Sequence, residues 1–138
     1  MTDRAAIINA LMGTPYRLGA QGPEAVDCYS AAAHLQRVLF GRAMPPFEMP
    51  GAAGRAAIAA AIAIHPERAR WVEIAAPIDG ALVTMARNDC GYHLGTWLVE
   101  DGGIVVHALE GVGVIADTIG SLNAVGWRRL RFHVPVST

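Results

Sequence analysis

The apolar residues of this chain change their spacing at about residue 71, and this change constrains the fold more than any other feature. Before it, apolar side chains recur at helical spacing, as at Leu35, Val38 and Leu39. After it, they follow the period of two that is typical of strands, as in residues 93–99. Helical segments followed by a run of strands predict an α+β fold in which N-terminal helices pack on an antiparallel sheet.

Turn and capping residues divide these patterns into elements. We expect a short first helix capped by Thr2 or Asp3 and ended by Gly13, and a second helix that begins near Cys28 and ends near Gly41. The pattern predicts a third helix over 52–64, strands over 71–74, 81–85, 93–99, 104–109, 112–116 and 127–134, and one or two helical turns over 118–123. The glycines of 101–103 predict a hairpin turn. Because no repeat or linker interrupts the chain, we expect residues 1–138 to form a single domain.

The composition limits the possible partners. Hydrophobic residues make up 53% of the 138 residues, which favours a compact core, and the formal net charge is −1. Such a balance gives no electrostatic field that would attract nucleic acid or an anionic membrane. The N-terminus lacks the pattern of a signal peptide, and the alanine-rich run at 56–64 is too short to span a bilayer. We therefore expect a protein that is made in the cytoplasm, has no membrane span and leaves the cell, if it does, by a route other than general secretion.

Cys28 is the first candidate for a catalytic residue. It lies at the expected start of the second helix, where backbone N–H groups lack intrahelical acceptors and the helix dipole is positive. That environment favours the thiolate, which is the nucleophilic form of cysteine. A cysteine nucleophile also needs a base, and the strand-like half of the chain offers His93 and His107. This combination predicts a cysteine hydrolase.

The hairpin around residues 101–103 brings the two histidines towards each other. His93 opens one predicted strand and His107 lies near the end of its partner, and cross-strand neighbours are about 5 Å apart at Cβ. One imidazole can then take the thiol proton while the other fixes its tautomer. Either histidine alone is more often a half-buried strand residue, whereas the pair together with Cys28 favours catalysis. The positions of His34, His65 and His133 have structural explanations, so we assign none of these histidines a catalytic role.

These residues carry a family resemblance. The segments 13–19 (GTPYRLG) and Val26-Asp27-Cys28 resemble the nucleophile block of the NlpC/P60 peptidases, which are papain-like cysteine endopeptidases of bacterial cell walls. Residues 79–83 (DGALV) resemble the strand that precedes the family histidine. The segments 93–98 (HLGTWL) and 106–108 (VHA) resemble the strands of the family's second and third catalytic residues. The resemblance covers roughly residues 5–134 and implies a papain-like NlpC/P60 fold.

The resemblance implies a role for each of these positions. Cys28 would be the nucleophile, His93 the general base and His107 the orienting third residue. Tyr16 would place its hydroxyl beside the nucleophile to support the oxyanion, and Asp27 would receive the free amine of the stem peptide's L-Ala. The implied reaction is hydrolysis of the bond between γ-D-glutamate and a diamino acid in peptidoglycan stem peptides, without a metal or other cofactor. Tyr29 departs from the family's usual serine after the cysteine, and we expect it to reshape the substrate pocket.

The C-terminal segment 126–132 (GWRRLRF) resembles the compact family members that are encoded with phage tails and gene transfer agents. This resemblance implies phage-tail or tail-tip proteins as partners, and a place in a virion or tail particle that acts at the cell wall or periplasm. Two other functions stay open at this point. One is a structural tail-tip protein that keeps the fold without turnover, and the other is a papain-like acyltransferase or amidase with a different substrate.

Cys90 has three possible interpretations. It precedes His93 by three residues, in what the sequence predicts to be a loop. It is an incidental thiol, a disulfide partner that masks Cys28, or a zinc ligand together with Cys28, His93 and His107. The spacing of these residues lacks any close pair of the kind found in zinc sites.

Overall fold

The computed structural model describes residues 3–45, 69–88 and 90–136. Its helices are α1 (Arg4–Leu11), α2 (Cys28–Phe40) and α3 (Ile119–Ala124), and its strands are β1 (Trp71–Ile74), β2 (Leu82–Arg87), β3 (Cys90–Leu98), β4 (Ile104–Leu109), β5 (Gly113–Asp117) and β6 (Arg128–Pro135). The α+β fold with an antiparallel sheet is therefore confirmed. The expected helix over 52–64 lies outside the described residues.

The helix ends follow the capping residues. The Asp3 carboxylate accepts a hydrogen bond from the N–H of Ala6, so Asp3 is the N-cap of α1. Helix α2 begins after a capping box formed by Asp27 and Ser30. It ends at Gly41, which adopts the left-handed conformation (φ 66°) that costs glycine little. Local sequence signals thus fix both ends of the helix that carries Cys28.

The six strands form one sheet in the order β1-β6-β2-β3-β4-β5, and every neighbouring pair is antiparallel. A short 3₁₀ turn, Glu100–Gly102, connects β3 to β4 and confirms the predicted hairpin. The turn needs glycine at Gly103, where φ is 118° and an added Cβ would lie 2.6 Å from the ring of Trp97. This hairpin lies near the middle of the sheet and carries both candidate histidines.

The two faces of the sheet are covered by different layers. We call one the helix face, where α1 and α2 pack on aliphatic strand residues; its buried members are Ile8, Leu11, Val26, Ala31, Leu35, Leu98, Val106, Ala108 and Val114. We call the other the histidine face, where α3 covers a second core; its buried members are Ala81, Val83, Met85, Val105, Leu122, Trp127 and Phe132. Successive residues of a strand point alternately to the two faces.

A membrane-spanning helix is not found in the described part of the chain, because none of its helices combines sufficient length with sufficient apolar character.

Candidate active site

Cys28 is the first residue of α2, and only 7% of its surface is exposed. It belongs to a buried cluster with Tyr29, Ala32, Leu82 and Leu94. Helix α2 packs on β3 and β4, so the start of the helix is held against the middle of the sheet. The structure thus places a buried thiol at a positive helix end, as the sequence predicted.

Asp27 holds this helix start in place. Its Oδ1 accepts from the N–H of Ser30 at 2.9 Å, and its Oδ2 accepts from the N–H of Gly19 at 3.0 Å. The Ser30 hydroxyl in turn accepts from the Asp27 N–H and donates to the carbonyl of Ala20. Because both carboxylate oxygens accept backbone N–H groups, a substrate amine would have to share them. The amine-binding role of Asp27 stays a prediction.

His93 and His107 contact each other directly. Nε2 of His93 lies 2.9 Å from Nδ1 of His107, and the two rings meet edge to face at 81°. The expected approach of the two histidines is therefore confirmed. They are not directly opposite, however: Thr96 pairs with Val106, so the same register places His107 opposite Gly95 and makes the histidines diagonal neighbours.

The missing side chain of Gly95 makes room for this diagonal contact. A Cβ at Gly95 would lie 2.7 Å from a methyl carbon of Val105 and 3.2 Å from the Cβ of His107. Within the described residues, the pairing of β3 with β4 covers Thr96–Leu98 and Ile104–Val106. The histidines lie beyond this paired part, where side chains rather than main-chain ladder bonds join the strands.

Asp117 extends the contact by one more residue. Its Oδ2 lies 2.9 Å from Nε2 of His107, and its Oδ1 accepts a hydrogen bond from the Ser121 hydroxyl at 3.2 Å. Sequence reasoning missed Asp117 because the fifth strand was expected to end at residue 116. Its place follows from the register of the β4–β5 hairpin, which pairs Val105 with Asp117 and so brings the carboxylate diagonal to His107, and no local sequence signal shows this register.

Trp127 completes the surroundings of His93. Its ring stacks on the His93 ring with centroids 4.6 Å apart and planes at 19°. The ring of His107 lies nearly perpendicular to it with centroids 6.5 Å apart, and the Arg87 guanidinium lies 4.3 Å above the Trp127 ring. Only 1% of Trp127 is exposed. The indole therefore fixes the orientation of the His93 ring and excludes water from one side of it, a role that the sequence did not predict.

Burial keeps both rings neutral. Desolvation, together with the charges of His107 and Arg87, lowers the pKa of His93 to about 3. Burial also lowers the pKa of His107, although the Asp117 carboxylate opposes the shift. A neutral ring is the form that can accept a proton, and a thiolate beside it would favour the protonated form.

Strand alternation separates the histidines from the cluster around Cys28. Leu94 belongs to that cluster and lies on the helix face, whereas His93, the preceding residue, points to the histidine face. The structure brings His93, His107 and Asp117 together. It places Cys28 in a separate cluster, the one that contains Leu94. The pairing of the thiol with an imidazole stays a prediction.

His133 shares the helix face with that cluster. It pairs with Leu82 across β2 and β6, and its Nε2 lies 3.0 Å from the Thr84 hydroxyl. The sequence predicted no catalytic role for it, and its position makes it the natural control histidine for experiments on Cys28.

The two tyrosines occupy different surroundings. The half-buried Tyr16 packs against the aliphatic core of the helix face, and its backbone forms a bridge to Val26. Tyr29 is buried, and its hydroxyl donates to the carbonyl of Pro45 at 2.7 Å. This bond ties the chain beyond α2 to the start of the helix. The substrate-binding roles of both tyrosines stay predictions.

The expectation that Cys90 lies in a loop is wrong. Cys90 is the first residue of β3 and pairs with Arg87, because a register shift between Met85 and Arg87 lets the two strands continue past the irregularity. Its side chain is outside the part that the structure describes. Cys28 carries a thiol and forms no disulfide in the structure, which disfavours a masking disulfide and leaves the other two interpretations open. Among residues 3–45, 69–88 and 90–136, no group of three or more potential metal ligands is found.

Comparison with known proteins identifies the fold. The chain is similar to a crystal structure of the NlpC/p60 domain of the peptidoglycan hydrolase SagA, with a TM-score of 0.57 and 21% sequence identity over 96% of this chain and 95% of that one. At this identity the likeness shows the fold alone, and it confirms the expected papain-like NlpC/P60 architecture. No protein-family model matches the chain, and no curated protein sequence matches it.

Proposed function

We propose that this protein is a cysteine hydrolase that cleaves peptidoglycan stem peptides. The observation that carries the proposal is the direct contact of His93 with His107, at 2.9 Å between ring nitrogens, in a fold that carries Cys28 at a helix start. The fold likeness to a domain of a peptidoglycan hydrolase supports the choice of substrate.

The proposed reaction follows from these groups. The Cys28 thiol gives its proton to Nδ1 of His93, and the thiolate sulfur attacks the carbonyl carbon of the scissile amide. The Cys28 N–H and the Tyr16 hydroxyl donate to the oxyanion. The His93 imidazolium then gives its proton to the leaving amine as the C–N bond breaks. Water, activated by His93, finally hydrolyses the thioester and restores the thiol.

The thiol can approach His93 where the sheet is open. Nε2 of His93 already contacts His107, so Nδ1 is the ring atom for the thiol proton. Beyond Thr96 the described pairing of β3 and β4 has ended, so the sheet is not continuous between the His93 ring and β4. A shift of the start of α2 towards this part of the sheet on substrate binding would complete the contact, while Nε2 of His93 keeps its bond to His107.

The proposed substrate bond is the one between γ-D-glutamate and a diamino acid. Asp27 would contact the free amine of the stem peptide, and the buried Tyr29 would narrow the pocket beside it. We further propose that residues 1–138 act as one domain that phage-tail or tail-tip proteins deliver to the cell wall after synthesis in the cytoplasm. The proposed reaction uses groups of the protein and water, and it needs no cofactor.

A digest of defined stem peptides and of intact peptidoglycan, read by mass spectrometry under reducing conditions, tests this proposal. Wild-type protein should release products cut after γ-D-glutamate, and Cys28→Ala should release none. Cys90→Ala is the matched control and should cleave as wild type does. Equal cleavage by Cys28→Ala, or no cleavage by folded wild-type protein, would contradict the proposal.

A second candidate function is a catalytically silent structural tail-tip protein. The placement of His93 and of the Cys28 cluster on opposite faces of β3 favours it. Absence of cleavage by folded protein, combined with stable binding to tail proteins, would support this candidate. A monomeric protein without affinity for tail proteins would count against it.

A further inference from the structure

The Asp117 carboxylate forms the outer end of a chain of three side chains. It contacts Nε2 of His107, and Nδ1 of the same ring contacts Nε2 of His93, with both distances at 2.9 Å. The His107 side chain is fully buried, whereas 22% of the Asp117 side chain is exposed. The chain therefore runs from the protein surface to the buried ring of His93.

The direction of each hydrogen bond follows from what the groups can donate. A carboxylate only accepts, so His107 donates to Asp117 through Nε2–H. A neutral imidazole has a single N–H, so Nδ1 of His107 must be an acceptor. Nε2 of His93 then donates to it, and the lone pair of His93 is on Nδ1.

We propose that Asp117 is a positioning residue that fixes the tautomers of His107 and His93 and so makes Nδ1 of His93 the atom that accepts the Cys28 proton. The inference rests on the proposed hydrolase function and adds a residue that acts through His107. Without the carboxylate, His107 can carry its proton on Nδ1. In that tautomer the Nδ1–H of His107 would face the Nε2–H of His93. The His93 proton would then move to Nδ1, the atom that must accept the thiol proton.

Three features hold the carboxylate in this position. The β5 register pairs Asp117 with Val105, which fixes its backbone beside the strand of His107. The Ser121 hydroxyl donates to Oδ1 and leaves Oδ2 for the histidine. Helix α3 starts immediately afterwards, with Thr118 as its N-cap, and this fixes Ser121 relative to Asp117.

Long-range ¹H–¹⁵N correlation NMR of the histidine rings tests the tautomers without any need for activity. Wild-type protein should show both His93 and His107 as Nε2–H tautomers at neutral pH. In Asp117→Asn, the Ser121 hydroxyl should hold the amide oxygen, so that the amide NH₂ donates to His107 and shifts it to the Nδ1–H tautomer. Asp117→Ala should lose the Nε2–H preference. Wild-type tautomers in both variants would overturn the inference.

Kinetics on a stem peptide test the consequence. Asp117→Asn should lower kcat/KM by about 10- to 100-fold, as loss of an orienting partner typically does, with KM changed less than about twofold. Asp101→Asn is the matched control, because it makes the same change at an exposed carboxylate of the 3₁₀ turn, and it should leave both tautomers unchanged and keep kcat/KM within about threefold. Unchanged kcat/KM in a variant with shifted tautomers would overturn the inference. Failure of wild-type cleavage would refute the proposed function instead, and the NMR result would still decide the tautomers.

Discussion

Different interactions stabilise the two faces of the sheet. The helix face packs aliphatic residues of α1 and α2 against Leu98, Val106 and their neighbours. The histidine face buries two imidazoles against Trp127, and three of their four nitrogens bond each other or Asp117. Non-directional burial is enough for the first face, whereas the second needs specific donors and acceptors because buried polar groups are costly without partners. The difference indicates that the histidine face is built to hold a defined geometry as well as to fold.

Trp127 and Leu35 give the largest expected contrast between the faces. Both are almost fully buried, so Trp127→Ala should lower the free energy of unfolding by about 3–5 kcal/mol and Leu35→Ala by about 2–5 kcal/mol. Only Trp127→Ala should also change the NMR titration of His93, because the indole stacks on that ring. Urea unfolding and histidine NMR measure the two effects. If Leu35→Ala shifted the NMR titration of His93 as much as Trp127→Ala does, this contrast between the two faces would be wrong.

Acid should weaken the histidine face specifically. The pKa of His93 is about 3 in the folded protein, against about 6.5 for an unfolded chain. Below pH 6.5 the unfolded state binds a proton that the folded state does not, so stability is highest above pH 6.5 and falls as pH drops towards 3. The slope from this group is at most ~1.4 kcal/mol per pH unit.

Urea unfolding at pH 7.5, 6, 5 and 4 measures this slope. His93→Phe keeps an aromatic ring on Trp127 and should flatten the curve between pH 6 and 4. His34→Gln is the matched control and should change the slope less than His93→Phe does. Burial and the charge of Arg37 also lower the pKa of His34, but this residue is only half-buried. A His93→Phe curve as steep as wild type would show that His93 titrates normally.

The cap of α2 should contribute less than either core. Asp27→Ala removes two hydrogen bonds to backbone N–H groups and should cost about 1–2 kcal/mol of unfolding free energy. Asp3→Ala removes an exposed single-bond cap from α1 and is the smaller-effect control. Chemical unfolding followed by circular dichroism compares them, and equal losses would argue against a special role of Asp27 in holding the start of α2.

The ion pairs of Arg4 should have the smallest effect. Its guanidinium bonds Asp79 and Glu100 at 2.8–2.9 Å, which ties α1 to the turn before β2 and to the 3₁₀ turn between β3 and β4. These side chains are about one-third exposed, so Arg4→Ala should cost below about 1 kcal/mol, and less in high salt. A loss above 2 kcal/mol, unaffected by salt, would show that the contact behaves as a buried one.

The sequence predicted the helix face better than the histidine face. Apolar periodicity and the glycine at Gly41 placed α2, and the glycines at 101–103 placed the β3–β4 hairpin. These signals are local, and the structure confirms them. The pairing of His93 with His107 was also predictable, because a hairpin register is set by its turn.

Asp117 and Trp127 were not predictable in the same way. Asp117 joins the site only because β5 returns along β4 with a particular register. Trp127 reaches His93 from the segment after α3, far along the chain. Alternation also decides which face each side chain occupies, and it places His93 and the Cys28 cluster on opposite faces of β3. Such contacts depend on the assembled sheet and leave no local sequence signal.

The alkylation rate of Cys28 as a function of pH tests the central claim most directly, because it asks whether the thiol and His93 act as one unit. The Cys90→Ala background isolates Cys28, iodoacetamide is the probe, and His93→Gln is compared with the control His133→Gln. The account predicts rapid alkylation below pH 7 that His93→Gln abolishes and His133→Gln preserves. The same ordinary thiol profile in all three proteins would contradict it, and a profile that depends on His133 would assign the base to the other histidine.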